Sequence, residues 1–281
     1  MWIQWLLLGV GSVVVSYSGV VGLRRWAQRR LLDVPNERSS HSQPTPRGGG
    51  LVIVAATLVG LPVCLIVGFG HIPAVFFAYL LGATLIAAVS WIDDLHSLPN
   101  RVRFALHSLG AIIAIWGIGY WLSATLPGLG LIELGWLGLP VTFVWIAGLT
   151  NAYNFMDGID GIAGGQAVVA GFGWVALGWW SQQLPVAALG LLVAASSLGF
   201  LGHNWPPARI FMGDVGSAFL GYTFAVLPLI LSALMGAPDG SERIPLASVL
   251  LVWPFVFDTA FTFLRRLRNG EKVFSAHRSH L

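Results

Sequence analysis

The sequence predicts an all-α polytopic membrane protein, and three features support this fold class. Hydrophobic residues make up 56% of the 281 residues and charged residues only 10%, whereas soluble domains carry about 25% charged residues. About nine stretches are long and apolar enough to cross a bilayer as helices. The basic residues gather between alternate stretches. Because helices packed in a bilayer need no separate aqueous domain, we expect residues 1–281 to form one integral-membrane domain.

The predicted spans follow from the roughly 20 apolar residues that a helix needs to cross the hydrocarbon core with every backbone amide bonded. They cover residues 2–23, 50–69, 74–92, 104–122, 137–154, 163–180, 185–201, 217–234 and 244–263.

The distribution of Lys and Arg predicts the orientation. All of them except Arg243 lie in the loops after the first, third, seventh and ninth spans. The positive-inside rule therefore puts these loops in the cytoplasm and the N-terminus outside. The first span has no basic residue before it and four arginines directly after it, so we expect a retained anchor rather than a cleaved signal peptide. The expected location is a bacterial inner membrane. Topology explains the basic residues, so no nucleic-acid partner is expected.

Acidic residues occupy the same predicted face. Asp93 and Asp94 follow the third span, Asp157 and Asp160 follow the fifth, and Asp214 precedes the eighth. One aspartate at a helix end is usually a cap, but several such turns in a chain with few charges favour a site. Clustered carboxylates need a neutralising cation, and hard oxygen ligands favour Mg²⁺, with Mn²⁺ as the alternative.

Two segments have compositions suited to phosphate chemistry. The string PTPRGGG at 44–50 places Arg47, which can donate paired hydrogen bonds to phosphate, beside glycines that let a ligand approach the backbone. Ordinary turns have the same composition, so this signal alone is weak. In the Asp93-Asp94 pair, one carboxylate can hold a metal or an arginine while the other takes a proton from a nucleophile. Two solvated helix-end acids remain the alternative for that pair alone.

Two further segments bring amides and carboxylates to helix ends. Asn151, Asn154 and Asp157 are spaced three residues apart and so share one helical face. Asp214 stands where the eighth helix begins and its free amides point toward an anion. A metal diphosphate matches both kinds of charge.

These segments, with SAHRSH at 275–280, resemble the polyprenyl-phosphate N-acetylhexosamine-1-phosphate transferases, or glycosyltransferase family 4. The strings NAYNFMDGIDG at 151–161 and FMGDVGS at 211–217 carry the resemblance most specifically. The terminal loop lacks the triple histidine of the phospho-N-acetylmuramoyl-pentapeptide transferases, which indicates closer similarity to members that initiate O-antigen and other envelope polysaccharides. Family members usually continue with at least one further span after this loop.

The resemblance implies transfer of a sugar 1-phosphate from a UDP-N-acetylhexosamine to undecaprenyl or another polyprenyl phosphate, with release of UMP. It implies catalytic roles for three aspartates: Asp93 deprotonates the lipid phosphate, Asp94 supports it, and Asp157 lies near the metal. Asp214, with Asp157, would bind Mg²⁺. A covalent aspartyl-phosphate route remains open. The implied substrate-binding residues are Arg47, Asn154, Asp160, Asn204, Phe211, His277, Arg278 and His280. Of these, Asp160, Asn204 and Phe211 would line a uridine pocket.

Two other functions compete with this interpretation. An ion-coupled transporter also carries acids within its membrane helices, but near the midplane and in interrupted helices, whereas only Asp258 is deep here. A CDP-alcohol phosphotransferase has an Ala-Arg signature after its Asp-Gly, which is absent after Asp157 and Asp160. A homodimer is a further expectation. The sequence specifies neither the hexosamine nor the polysaccharide.

Overall fold

The computed structural model describes residues 2–33, 43–236 and 241–270, and these residues are mainly helical. The helices are α1 Trp2–Ala27, α2 Leu51–Phe69, α3 Ala74–His96, α4 Asn100–Ile118, α5 Gly138–Met156, α6 Ile162–Trp180, α7 Leu184–Asn204, α8 Asp214–Met235, α9 Ile244–Leu251 and α10 Trp253–Arg268. Four short strands are β1 Leu32–Asp33, β2 Thr45–Pro46, β3 Ser123–Leu126 and β4 Gly130–Glu133. The all-α class is confirmed, with two small hairpins that the sequence did not predict.

Seven of the described helices are long and apolar enough to cross a membrane, or eight if the α9–α10 pair forms one span bent by 75°. The prediction was about nine. The expected fifth span is α5, a 19-residue helix that packs within the bundle but has the polar Asn151 and Asn154 in its last turns. These two residues, which dilute its apolar composition, belong to a motif described above.

Helix α8 lies at the centre of the bundle. Helices α3 and α5 pack along it, and α7 forms a second centre with α1, α2 and α6 around it. Small residues allow the close approach: a Cβ on Gly171 of α6 would lie 2.8 Å from the Gly190 carbonyl oxygen of α7. Such packing replaces the hydrophobic effect as the main force between helices in lipid.

The β1–β2 hairpin brings the start of α2 close to the start of α8. Leu32 pairs with Pro46 and Asp33 with Thr45. Beyond this hairpin, the Gly49 amide donates to the Phe211 carbonyl at 2.9 Å, and the Gly50 amide donates to the Met212 carbonyl at 2.8 Å. The glycine-rich loop is therefore fixed against the turn that leads into α8. The β3–β4 hairpin follows the other end of α4.

Candidate active site

Asp93 and Asp94 lie in the last turn of α3, and both are buried. The structure extends this helix past the predicted end of the third span, so both side chains start from regular helical backbone. Their carboxylates consequently point in different directions and have different partners. Asp93 accepts a hydrogen bond from the Leu98 amide at 2.5 Å, within the turn that connects α3 to α4.

Asp94 holds the beginning of α8. One of its carboxylate oxygens accepts from the Asp214 amide at 3.1 Å and the other accepts from the Val215 amide at 3.0 Å. These amides belong to the first turn of α8 and have no partner within the helix. With 1% of its side chain exposed, Asp94 acts as a helix cap supplied by another helix. It fixes where Asp214 lies.

Arg103 of α4 connects the two other carboxylates. Its Nη1 lies 2.8 Å from Asp93 Oδ2 and 3.2 Å from Asp214 Oδ2. Its Nη2 donates to Asn100 Oδ1 at 2.6 Å, one turn earlier on the same helix. One guanidinium therefore neutralises acids from two different helices and draws α3, α4 and α8 together at this end of the bundle.

Asn154 of α5 completes this arrangement on the remaining oxygen of Asp214. Its Nδ2 lies 3.0 Å from Asp214 Oδ1 and 3.0 Å from Ser217 Oγ. Asn151 does not join it, although the two share a helical face. Its Oδ1 lies 3.3 Å from Nδ1 of the buried His107 on α4.

Asp157 ends α5 beside this group and is electrostatically unfavourable as an anion. Burial raises the pKa of Asp157 well above its ordinary value. The negative charges of Asp214, Asp94 and Asp160 raise this pKa further. A cation placed among these groups would relieve the repulsion and stabilise the ionised form of Asp157.

The loop 47–50 forms the side of the site next to α3. Arg47 donates to the Asp94 carbonyl oxygen at 2.5 Å, and its Nε lies 4.0 Å from Asp94 Oδ1. Gly50 lies so close to α8 that a Cβ there would come within 2.4 Å of the Gly216 Cα. Gly213, at φ +77°, would place a Cβ 2.8 Å from Asp94 Oδ2. Only glycine fits these two contacts.

The three residues predicted to line a uridine pocket connect two loops. Asn204, 4% exposed, accepts from the Gly161 amide at 2.9 Å and donates to the Ile210 carbonyl at 2.9 Å. Asp160 accepts from the Ala208 amide at 2.9 Å. Phe211 is half-buried, and its amide donates to the Pro46 carbonyl at 2.8 Å. The amide of Asn204 is thus engaged with the backbone, and its contact with a nucleotide stays a prediction.

The candidate ligands for a metal are carboxylate oxygens, but they do not form a closed cage. Among the described residues, no three His, Cys, Asp or Glu side chains are arranged to hold a metal ion. Oxygen donors and the mutual repulsion of the carboxylates around Asp157 suit a hard divalent cation. His277, Arg278 and His280 lie outside the described residues.

Two side chains that lie in the site were not predicted from the sequence. Arg103 lies within the quoted segment after Asp93-Asp94, but its spacing alone does not indicate that it reaches α8. Ser217, in the FMGDVGS string, contacts Asn154. One feature of the sequence could have indicated Arg103. It is a basic residue in the first turn of α4, three positions after Asn100, and a cation near a helix N-terminus is unfavourable unless an acidic partner stabilises it.

Similarity to known proteins identifies the family of this chain. A sequence model of glycosyl transferase family 4 matches residues 76–232, more than half of the chain and the region from α3 to α8 that holds the aspartates. A probable undecaprenyl-phosphate N-acetylglucosaminyl 1-phosphate transferase of Bacillus subtilis is 35% identical over 252 residues, which cover 89% of this chain and 68% of that protein.

Two other relatives extend the comparison. A decaprenyl-phosphate N-acetylglucosaminephosphotransferase of Mycobacterium leprae is 30% identical, with 98% of this chain and 75% of that protein covered. A phospho-N-acetylmuramoyl-pentapeptide-transferase of Synechococcus is 34% identical, with 79% of this chain and 66% of that protein covered. The chain belongs to glycosyl transferase family 4, and the resemblance to polyprenyl-phosphate hexosamine-1-phosphate transferases is confirmed.

Proposed function

We propose that the protein transfers N-acetylhexosamine 1-phosphate from a UDP-sugar to polyprenyl phosphate, releasing UMP and forming a lipid-linked diphosphosugar. The observation that carries this proposal is the convergence of Asp93, Arg103, Asn154 and Asp214 from four helices at one end of an apolar bundle. A lipid acceptor and a water-soluble donor can meet at such an end. The names of the relatives support the same reaction, with N-acetylglucosamine as the first sugar to test.

The chemistry is a phosphoryl transfer. An oxygen of the lipid phosphate attacks the β-phosphorus of the UDP-sugar, and the bond from that phosphorus to the bridging oxygen breaks, so that UMP leaves. Asp93 takes the proton of the lipid phosphate. Asp94 positions the first turn of α8, and Arg47 and Arg103 supply positive charge. Positioning and charge neutralisation lower the barrier of such transfers more than covalent chemistry does.

Asp214 and Asp157 would hold a Mg²⁺ ion, with Mn²⁺ as the alternative. Mg²⁺ is usually bound by one or two carboxylates together with substrate phosphates and water, so the open carboxylate arrangement fits it better than a closed cage would. When bound, the ion supplies charge neutralisation on the diphosphate.

The proposed orientation puts this site in the cytoplasm of a bacterium and the N-terminus outside, in the inner membrane. The arginines that follow α1 and the aspartate cluster lie at the same end of the bundle, because Arg47 joins Leu31 by a backbone hydrogen bond of 3.0 Å and also contacts Asp94. With α5 and the bent α9–α10 pair as spans, the number of spans would reach nine.

An ion-coupled transporter is not supported, since the charged groups collect at the helix ends and the chain belongs to a transferase family.

The test is transfer of radiolabel from UDP-N-acetylglucosamine to undecaprenyl phosphate by the purified full chain in micelles. We expect lipid-linked product and UMP in equal amounts, and loss of both when EDTA removes divalent cations, with recovery on adding Mg²⁺. UDP-N-acetylgalactosamine and deoxy analogues of the donor then identify the sugar. Folded protein that forms no product from any donor would refute the proposal, and product that persists in EDTA would refute the metal.

A further inference from the structure

A cationic pocket at the end of α1 is separate from the residues assigned to the active site. It has a volume of about 430 Å³ and is lined by Gly22, Arg25, Trp26, Arg29 and Arg30. Gly22 borders open space, because a Cβ built there would have no neighbouring atom within 4 Å. Three guanidinium groups around one opening form a strong anion-binding surface.

The arginines of this pocket are not needed to finish the helix. The last carbonyl groups of α1 are bonded to the backbone of the following turn, with the amides of Arg29, Arg30 and Leu31 donating to Trp26 and Ala27. Within the described part of the chain, the guanidinium groups of Arg25, Arg29 and Arg30 form no ion pair and donate no hydrogen bond. Among the described residues, nothing occupies these donors, and a ligand could use them.

The surface of α1 that leads to the pocket indicates what kind of ligand it is. Val15, Ser18, Gly22, Arg25 and Arg29 are all exposed and are spaced three or four residues apart, so they form one continuous stripe along the helix. Its first part faces hydrocarbon if α1 spans the membrane, and its last part is cationic. Trp26, 38% exposed, lies at the end of α1, where a tryptophan on a spanning helix would favour the headgroup layer. A molecule with an acyl chain and an anionic headgroup would contact the whole stripe.

We propose that this pocket binds the phosphate headgroup of an anionic phospholipid, with one acyl chain lying along the exposed stripe of α1. Basic pockets at the cytoplasmic end of a span attract anionic headgroups, and arginine can bind a phosphate diester with two parallel hydrogen bonds. The cytoplasmic position of the pocket rests on the orientation proposed above, whereas its chemistry does not depend on the transferase activity.

The pocket contacts the active site indirectly. Trp26 packs against Trp91 with ring centroids 5.9 Å apart, and Trp91 lies two residues before Asp93. Trp91 also lies so close to Gly48 that a Cβ there would come within 2.9 Å of its ring. A bound lipid would therefore touch the layer of side chains that supports the loop of Arg47.

The test measures lipid retention by native mass spectrometry of the full chain, purified in micelles with equal amounts of phosphatidylglycerol and phosphatidylcholine. We expect the wild type to retain phosphatidylglycerol preferentially. In the Arg25→Gln/Arg29→Gln variant the preference should fall about 30-fold, since each arginine near a membrane surface contributes about fivefold. The Arg25→Lys/Arg29→Lys variant preserves the charge and the topology signal, and should lose less.

The control is Arg209→Gln/Arg268→Gln, which removes two exposed arginines that do not line the pocket. Retention in this control should match the wild type; an equal loss in both double variants would show diffuse attraction and overturn the proposal. Displacement by millimolar inorganic phosphate would overturn it in favour of a free-anion site. Displacement by stoichiometric undecaprenyl phosphate would overturn it in favour of the acceptor lipid.

Discussion

Helices α1 and α8 have the same hydropathy but different surroundings. The most apolar segment of each helix has a mean hydropathy of 2.0. In α8, 78% of the residues of this segment are buried in the protein, whereas in α1 only 17% are buried. Composition therefore reports that both helices suit a bilayer, but not which of them other helices surround. The difference comes from side-chain detail: α8 begins with Asp214 and has glycines at its contacts, whereas α1 exposes Trp2, Ile3, Leu6 and Leu7.

The two helices also end differently. The first turn of α8 is held by Asp94, Arg103 and Asn154 from three other helices. The last turn of α1 ends in arginines that are free within the described residues. If the polar end of α8 is the reaction centre, substitutions there should act on catalysis, and the equivalent substitutions at the periphery should not.

The largest effect is expected for Asp93→Asn and Asp214→Asn. Either change removes one negative charge while keeping the shape of the side chain, so a base or a metal ligand is lost with little effect on packing. We expect the transfer rate to fall at least about 100-fold, as for removal of a catalytic proton acceptor. The rate is measured as UMP release with the cation saturating.

The control for this pair is Glu133→Gln in the β3–β4 hairpin, where the exposed carboxylate lies at the other end of α4. Its rate should stay within about twofold of the wild type, the range expected of an exposed site with little electrostatic coupling. Full activity in Asp214→Asn would contradict the role of α8 as the centre of the site.

The next effect is expected for Arg103→Gln, which leaves Asp93 and Asp214 facing each other without the cation between them. We expect kcat/KM to fall about 100-fold, similar to the loss of one electrostatic stabiliser of a transition state. Arg101→Gln on the same helix is the matched control, because Arg101 is exposed and forms no ion pair within the described residues.

Arg103→Lys sharpens this prediction. Lysine keeps the positive charge but lacks the planar fork that reaches Asp93, Asp214 and Asn100 together. Partial recovery of kcat/KM would assign part of the effect to charge and the rest to geometry. A loss that is equal in Arg101→Gln and Arg103→Gln would show that only the net charge of α4 matters.

A third effect concerns stability rather than catalysis. A Cβ on Gly221 of α8 would lie 2.8 Å from the Leu149 carbonyl oxygen of α5, whereas a Cβ on Gly11 of α1 would meet nothing within 4 Å. Gly221→Ala should therefore destabilise the protein by about 1–3 kcal/mol, as overpacking does. Gly11→Ala should be neutral or stabilising, since alanine favours helix. Thermal unfolding in micelles compares them; an equal loss in both would contradict the central position of α8.

Much of the fold follows from the sequence because the bilayer imposes a simple rule, namely apolar segments of fixed length. The predicted third span ended at 92, whereas α3 continues to His96. The rule detects apolar side chains and does not detect helical backbone that continues into polar residues. The helical run through Asp93 and Asp94 and the two hairpins depend on local hydrogen bonds, which hydropathy does not report.

The site was predictable where single strings contain its residues. Asp93, Asp94, Asn154 and Asp214 were identified from their motifs, and the structure brings them together. The bridge by Arg103 was not predictable, because it requires knowing that α3, α4 and α8 meet at one end. The contact of Asn151 with His107, and not with the group around Asn154, was not predictable for the same reason. Helical spacing gives the face on which a residue lies but not the residue that it contacts.

The smallest effect is expected for the hydroxyl groups of two tyrosines. Tyr153 of α5 is fully buried, and its hydroxyl donates to the Ala163 carbonyl oxygen of α6 at 2.8 Å. Tyr17 of α1 is 47% exposed, and its hydroxyl has no partner among the described residues. Tyr153→Phe keeps the ring contacts with Phe224 and Phe255 and loses only this hydrogen bond, so it should cost about 1 kcal/mol.

The measurement is again the midpoint of thermal unfolding, which should fall by about 2 °C in Tyr153→Phe and stay unchanged in Tyr17→Phe. A fall in Tyr17→Phe as large as that in Tyr153→Phe would mean that the α1 hydroxyl is engaged in the membrane or with a partner. Helix α1 would then have a specific contact at the turn that precedes the cationic pocket. Its contrast with α8, which is surrounded by protein, would fail at that turn.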